Sequence, residues 1–418
     1  MPSVQTVTEE VGTMDRKADV RPSDSSAELT PTVSFPEEAG SAVEEIVVPR
    51  LEGTGPMTFT VQGTPPNTTA RWFLDGLRAV LVEKGHQPCD PKDVIPRLVL
   101  NLFDPGSPRS FRRKAKATFV VSIFPLDSTP DRVLADGYPL LVRSMSNMVI
   151  VLLQVGGKLE AHFVTMEQGH SWLRYEGDDG SFFARVYDKL EPLASSNLVI
   201  DNVFVPDLPP DLWDGDEVTR QITEAGRRLA ALNLLPAPFP IEKVLNDREM
   251  GHLRRLFGIG GLSYGNVSAR ARHDPTAFWM SASGVDKSRL EVVGREILLV
   301  KGFDPAKAAM ILSVPANVQP RRVSVDAIEH YIIYREHPQV GAILHVHAWM
   351  EGVPSTQVDY PCGTWELASA VAELVRRSPD PARAVIGLKN HGLTITGKSL
   401  PEIFERIEGK IIRQVPMS

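Results

Sequence analysis

An apolar run that ends in two histidines, Val340–His347 (VGAILHVH), constrains this chain more than any other segment. Its aliphatic and β-branched residues predict a buried strand, and side chains on a strand alternate between its two faces. His345 and His347, two positions apart, therefore project from the same side of the strand end. That spacing suits two imidazoles on one metal ion. A third histidine, His391, closes a second apolar run, Ala384–Gly392 (AVIGLKNHG), where Gly392 supplies the permissive backbone that lets it turn back into a shared cleft. Three neutral imidazoles with an open fourth position make a Lewis-acid site typical of zinc, and Fe2+, Mn2+ or Co2+ also suits it.

The rest of the 418 residues divides by composition. Residues 1–55 carry 11 acidic against 4 basic side chains and many Ser, Thr and Pro, which predicts a disordered acidic tail. Residues 56–206 read as a mixed α/β domain of unassigned role. Helical spacing of Trp72, Phe73, Leu77, Val80 and Leu81 predicts a helix over 68–84 that ends at Gly85. Buried strands are expected at Thr118–Leu126 and Asn147–Val155. Gly156-Gly157 turns the second strand into a hairpin with Lys158–Met166. A helix at Phe182–Leu193 and a last strand at Leu198–Val205 complete this domain. Residues 207–240 form a proline-rich linker around an amphipathic helix whose inward face is Val218, Ile222, Ala225, Leu229 and Leu232. Residues 241–418 hold the histidines.

Net charge of −7 gives no footprint for nucleic acid. The basic cluster Arg109, Arg112, Arg113, Lys114 and Lys116 has no interleaved aromatics, so it reads as a solvated loop, and His170 reads as structural. The longest apolar stretch, Met148–Leu153, falls far short of the ~20 residues of a membrane helix. The N-terminus has no basic start followed by an apolar core, and Cys89 and Cys362 are the only cysteines. The expectation is a cytoplasmic chain with two reduced thiols and no membrane partner.

Three loops precede the histidines. Gly258–Arg270 (GIGGLSYGNVSAR) is glycine-rich without the layout of a dinucleotide fold or the lysine of a P-loop. Ser281–Gly284 (SASG) is a second small-residue loop, and Ser324 is placed to cap a helix with Val325, Ile328 and Ile332 facing inward. A hydroxyl at a helix N-terminus beside such loops offers a seat for an anion. In this order, GNVSAR, SASG, the Ser324 helix start, HVH and NHG resemble the class II aldolase/adducin family over roughly Ile241–Gln414.

The resemblance implies an α/β/α sandwich around a mainly antiparallel sheet, commonly assembled as a homo-oligomer, a C4 tetramer with sites between subunits. It makes His345, His347 and His391 the metal ligands. It also places Gly265, Asn266, Ser283, Gly284 and Ser324 on positions that hold a substrate phosphate. Asp326 falls where the family has its acid/base glutamate, one methylene shorter. Val325 replaces one of two phosphate-facing serines. The loop between His347 and Gly363-Thr364 is short, 15 residues, and the chain stops at Ser418 without the family's tail tyrosine. Tyr360 and Tyr264 are the candidate replacements, with Tyr360 preferred as the catalytic proton donor. The function expected is a metal-dependent lyase acting on a carbon–carbon bond of a small anionic hydroxy-carbonyl compound. Two alternatives stand beside it: an iron-dependent oxygenase or decarboxylase of a 2-oxo or 2-hydroxy acid, and a non-catalytic interaction module.

Overall fold

The structure is a computed structural model that describes residues 56–166, 169–236, 239, 241–257 and 263–418. The expected tail, 1–55, and the glycines at 258–261 lie outside the described residues. The first part of the chain runs β1 (Thr58–Gln62), α1 (Thr68–Glu83), β2 (Gln87–Pro88), β3 (Leu98–Leu102), β4 (Phe119–Pro125), α2 (Val133–Ser144), β5 (Met148–Val155), β6 (Lys158–Thr165), β7 (Gly169–Arg174) and α3 (Asp179–Ser195). These strands make one sheet in the order β2-β1-β3-β4-β5-β6-β7. β1 to β5 pair in parallel and β6 and β7 add antiparallel.

Local sequence accounts for these elements. The side chain of Asn67 accepts from the Ala70 amide to cap α1, whose Phe73, Leu77, Val80 and Leu81 are buried. Gly156 and Gly157 take φ of 57° and 80°, the left-handed pair that a two-residue hairpin turn requires. The basic cluster is used within the fold: Arg113 donates to the Met145 carbonyl and Asn147 Oδ1, and Lys116 pairs with Asp201. His170 is the end of a hydrogen-bonded relay, Arg174–Glu160–His162–His170.

The second part runs β8 (Asp201–Val205), α4 (Glu217–Ala231), α5 (Ile241–Val244), α6 (Asp247–Phe257), β9 (Asn266–Arg270), β10 (Phe278–Ser281), β11 (Ile297–Asp304), β12 (Ala309–Ser313), α7 (Ala327–Glu336), β13 (Ala342–Val346), α8 (Trp365–Arg377), β14 (Val385–Leu388), β15 (Gly392–Gly397) and α9 (Leu400–Ile407). Its eight-stranded sheet has the order β14-β15-β13-β9-β10-β11-β12-β8 and is antiparallel except for the β12/β8 pair. Ser268 bonds to His330 and Tyr334, which puts α7 on one face. Trp279, fully buried on the other face, donates to Asp216 at the start of α4, and Arg228 of α4 lies over Phe404 of α9. Helices α7 and α8 thus cover one face and α4 and α9 the other, the layering expected of this part.

Two exchanges knit the parts together, and both sheets belong to one compact unit. Strand β8, expected as the last strand of the first domain, joins the second sheet along β12, from Asp201↔Ala309 to Val205↔Ser313. Conversely Ile241 of α5, Leu245 just after it, and Met250 and Leu253 of α6 share a buried cluster with Tyr138 of α2 and with Val149 and Val151 of β5. The linker helix forms as its spacing predicts. A capping box between Asp216 and Thr219 starts it, and Val218, Ile222, Ala225 and Leu229 are buried.

Candidate metal centre

Strand register brings the first two histidines to the sheet end. β13 lies between β9 and β15, with His345 opposite Asn266 on one side and Thr394 on the other. Paired residues share a face, so His345, Asn266 and Thr394 form one rung under α7. Two close approaches leave no room for a Cβ. One added at Gly265 would stand 2.4 Å from the His345 carbonyl oxygen, and one at Gly392 would stand 2.2 Å from that of Val346. The left-handed residue of the His391 turn is Asn390, at φ 58°, a role that asparagine fills more readily than most side chains.

The three imidazoles converge as the strand spacing predicts. One ligand nitrogen from each of His345, His347 and His391 lies within 4.8 Å of the others. His391 Nε2 is 3.1 Å from His347 Nε2. The Leu393 carbonyl accepts from His345 Nδ1 at 3.1 Å, which fixes the tautomer and leaves Nε2 as the lone-pair atom. That Nε2 and His347 Nδ1 are buried without a hydrogen-bond partner. Burial pushes the rings toward their neutral, ligating forms: His345 down to about 4, His391 down to about 3, and His347 well below its ordinary value. Buried, neutral and with nitrogen lone pairs unmet, the set fits a divalent metal by the chemistry of its donors.

Asp326 sits beside the cluster, 7% exposed. It occupies the N-cap position of α7 but makes no side-chain capping bond, and Ser324, expected as the cap, lies two residues earlier. Instead Asn266 Nδ2 donates to Asp326 Oδ2 at 2.8 Å, while Oδ1 has no hydrogen-bond partner. Burial raises this carboxyl above the ordinary range, opposed by the neighbouring His391, the Asn266 amide, the Gly363 backbone N–H and Lys287.

Three further residues at this end escaped the sequence reading. Lys287, 3% exposed, donates from Nζ to the Ser263 carbonyl at 2.5 Å, and burial lowers it to about 8 against the pull of Asp326. Glu329 accepts from the Thr394 hydroxyl at 2.5 Å, and burial together with Asp326 pushes it up to about 8. Cys362 Sγ stands 3.2 Å from His391 Nε2. Glu329 left one trace in the sequence, an acid on the otherwise apolar α7 stripe of Ile328 and Ile332.

The predicted anion-binding residues line the same end. Gly284 is left-handed at φ 68°, and Ser324 is 8% exposed. The backbone N–H of Ser283 is engaged by the Arg322 carbonyl, and that of Ser324 by the Ser281 carbonyl. An anion there would meet the serine hydroxyls rather than these two amides. The tyrosines part company. Tyr264 places its ring 5.2 Å from that of His347, whereas Tyr360 is raised by burial and by Glu366 and Glu191. Among the described residues, no hydrogen bond or ring contact links Tyr360 to the histidines.

Residues 249–356 match the family described as Class II Aldolase and Adducin N-terminal domain. The match is confined to this segment, and it supports a divergent relationship to the class II aldolase family there. Similar solved structures include an L-fuculose 1-phosphate aldolase, 18% identical at a TM-score of 0.32, covering 46% of this chain and 81% of that one. Another is YgbL of Klebsiella pneumoniae, 17% identical at 0.30, with 46% and 84% covered. A third is an aldolase II superfamily protein of Pseudomonas syringae, 18% identical at 0.30, with 48% and 73% covered. No curated protein matched the chain. No described helix is long and apolar enough to cross a membrane.

Proposed function

We propose that the class II aldolase/adducin domain is a metal-dependent lyase that cleaves or forms a carbon–carbon bond in a small anionic hydroxy-carbonyl compound. The observation that carries this reading is the convergence of three buried imidazoles beside a buried carboxyl, Asp326, whose Oδ1 has no hydrogen-bond partner. His345, His347 and His391 would hold the ion, zinc being typical of such a set. When bound, a divalent metal supplies Lewis-acid polarisation of adjacent substrate oxygens.

The chain's own residues supply proton transfer and orientation. Asn266 fixes Oδ2 of Asp326, so Oδ1 is the atom that takes up and returns the proton. Its raised affinity for a proton keeps Asp326 a stronger base than an exposed aspartate. Lys287 holds positive charge beside Asp326, and the Ser283 and Ser324 hydroxyls with Gly284 receive the anionic end. Tyr264 is better placed than Tyr360 to serve as a second proton carrier, being against His347. The assembly in this reading is a homo-oligomer, a tetramer by resemblance, and sedimentation of the full chain as a monomer would contradict it.

Replacing Asp326 by Asn tests the chemistry. The metal should be retained while turnover of a hit from a panel of sugar phosphates and 2-oxo acids falls about 10²–10⁴-fold. Turnover should be the same with and without oxygen, since bond cleavage of this kind needs no oxidant. Unchanged turnover in Asp326→Asn, or oxygen uptake matching substrate loss, would contradict the lyase reading.

A further inference from the structure

Two of the three ligands stand just outside the strand ladder. β13 ends at Val346 and β15 begins at Gly392, so His345 is held by its pairing with Thr394 while His347 and His391 have no ladder partner. One segment reaches the loops of both. Past α9, Ile412 donates its amide to the Trp349 carbonyl at 2.7 Å and accepts from the Trp349 amide at 2.6 Å, just after His347. Further on, Ser418 donates its amide to Asn390 Oδ1 at 2.8 Å. Its backbone oxygen accepts from Asn390 Nδ2 at 3.2 Å, immediately before His391. Val415, between the two contacts, is buried.

The first part of the chain anchors the far end of this segment. Lys189 Nζ, on α3, donates to the same Ser418 oxygen at 2.7 Å and to Ser171 Oγ of β7 at 3.3 Å. It also lies 5.6 Å from the centre of the Phe163 ring. Met417 lines a small cavity with Met148, Phe163 and Leu193, and Asn390 and Asp359 line it too. Asn390 Nδ2 donates to Asp359 Oδ2 at 2.8 Å, so both polar atoms of this left-handed residue are engaged. Hydrogen bonds thus run without a gap from Lys189 through Ser418 to Asn390, the neighbour of a ligand.

We propose that residues 411–418 are a positioning strap for the metal centre: they set the directions of His347 and His391 through Trp349 and Asn390, and Lys189 anchors them. This rests on the metal-centre reading of the three histidines. Groups that orient ligands from outside the coordination sphere govern metal affinity, because a ring already held in place loses less freedom when the ion arrives. The first part of the chain thereby takes part in the centre without supplying any of the three imidazoles.

Cobalt(II) titrated into the metal-free full chain reads the ligand geometry through its visible ligand-field bands. Lys189→Met keeps an apolar stem against Phe163 while removing the bond to Ser418. Because Lys189 lies on another sheet from the histidines, a merely structural role there leaves cobalt binding alone. The expected result is an affinity about 10–100-fold lower, with shifted bands, both in Lys189→Met and in a chain ending at Gln414. Circular dichroism of both should match the unmodified chain. Unchanged affinity and bands in either variant would overturn the strap and leave the histidine centre standing. No cobalt bound by the unmodified chain would overturn the centre and the strap with it. Should the variants fail to fold, amide hydrogen exchange in the unmodified chain decides. Coupling is reciprocal, so zinc should slow exchange at Ile412 and Ser418 about tenfold. Equal rates with and without zinc would overturn the proposal.

Discussion

Glu329 and the three histidines pull the stability of the metal-free protein in opposite directions as pH changes. Glu329 is raised to about 8 from 4.5, so between those values the unfolded chain has released a proton that the native state keeps. Stability therefore declines as pH rises through that window. The three histidines are depressed from 6.5, His345 to about 4 and His391 to about 3, so the unfolded chain binds protons first as pH falls and stability declines toward acid. Urea unfolding of the metal-free chain should show both limbs. Glu329→Gln should remove the alkaline limb, gaining on the order of 1–3 kcal/mol at pH 8 relative to pH 5, and leave the acid limb intact. An unaltered alkaline limb in that variant would show that Glu329 is not the group responsible. The histidines were legible in the sequence because strand alternation alone puts two of them on one side. Lys287, Glu329 and Cys362 were not, because a charged or thiol side chain becomes informative only when burial takes it out of water, and burial is tertiary.

At the scale of elements, the sequence yields those whose signals are local. The glycine pair of the β5–β6 hairpin, the apolar face of α4 and the strand β13 all form where spacing places them. Partnership between elements is the part that spacing cannot carry. Strand β8 reads equally well as an end to the first sheet, yet its backbone pairs with β12. Likewise the Ser324–Asp326 turn reads as a helix cap, but Asn266, sixty residues upstream, claims the carboxylate that would have capped α7. The glycine approaches at the β9–β13 and β13–β15 contacts make a prediction at this scale. Gly265→Ala puts a Cβ 2.4 Å from the His345 carbonyl oxygen on a backbone at φ 71°. It should cost about 1–3 kcal/mol in a urea titration and weaken metal binding, because the displaced strand carries two ligands. Unchanged stability and affinity would mean that the strand end adjusts without disturbing the ligands.

At the scale of the molecule, the two sheets are laced by exchanged elements: β8 passes from the first part into the second sheet, and α5 and α6 return to the first. A buried-edge ion pair between Arg143 of α2 and Glu249 of α6 ties the same contact. Calorimetry of the full chain should therefore give one cooperative transition for both sheets, and two resolved transitions would contradict the interleaving. All of this chemistry depends on one feature: the end of the second sheet as a metal centre built from His345, His347 and His391. Elemental analysis of the chain purified without added chelator or metal tests it most directly. About one divalent ion per chain is expected, lost on replacing His345 by Ala while the fold persists by circular dichroism. Full metal occupancy in His345→Ala, or a folded parent chain that takes up no divalent metal on titration, would contradict it.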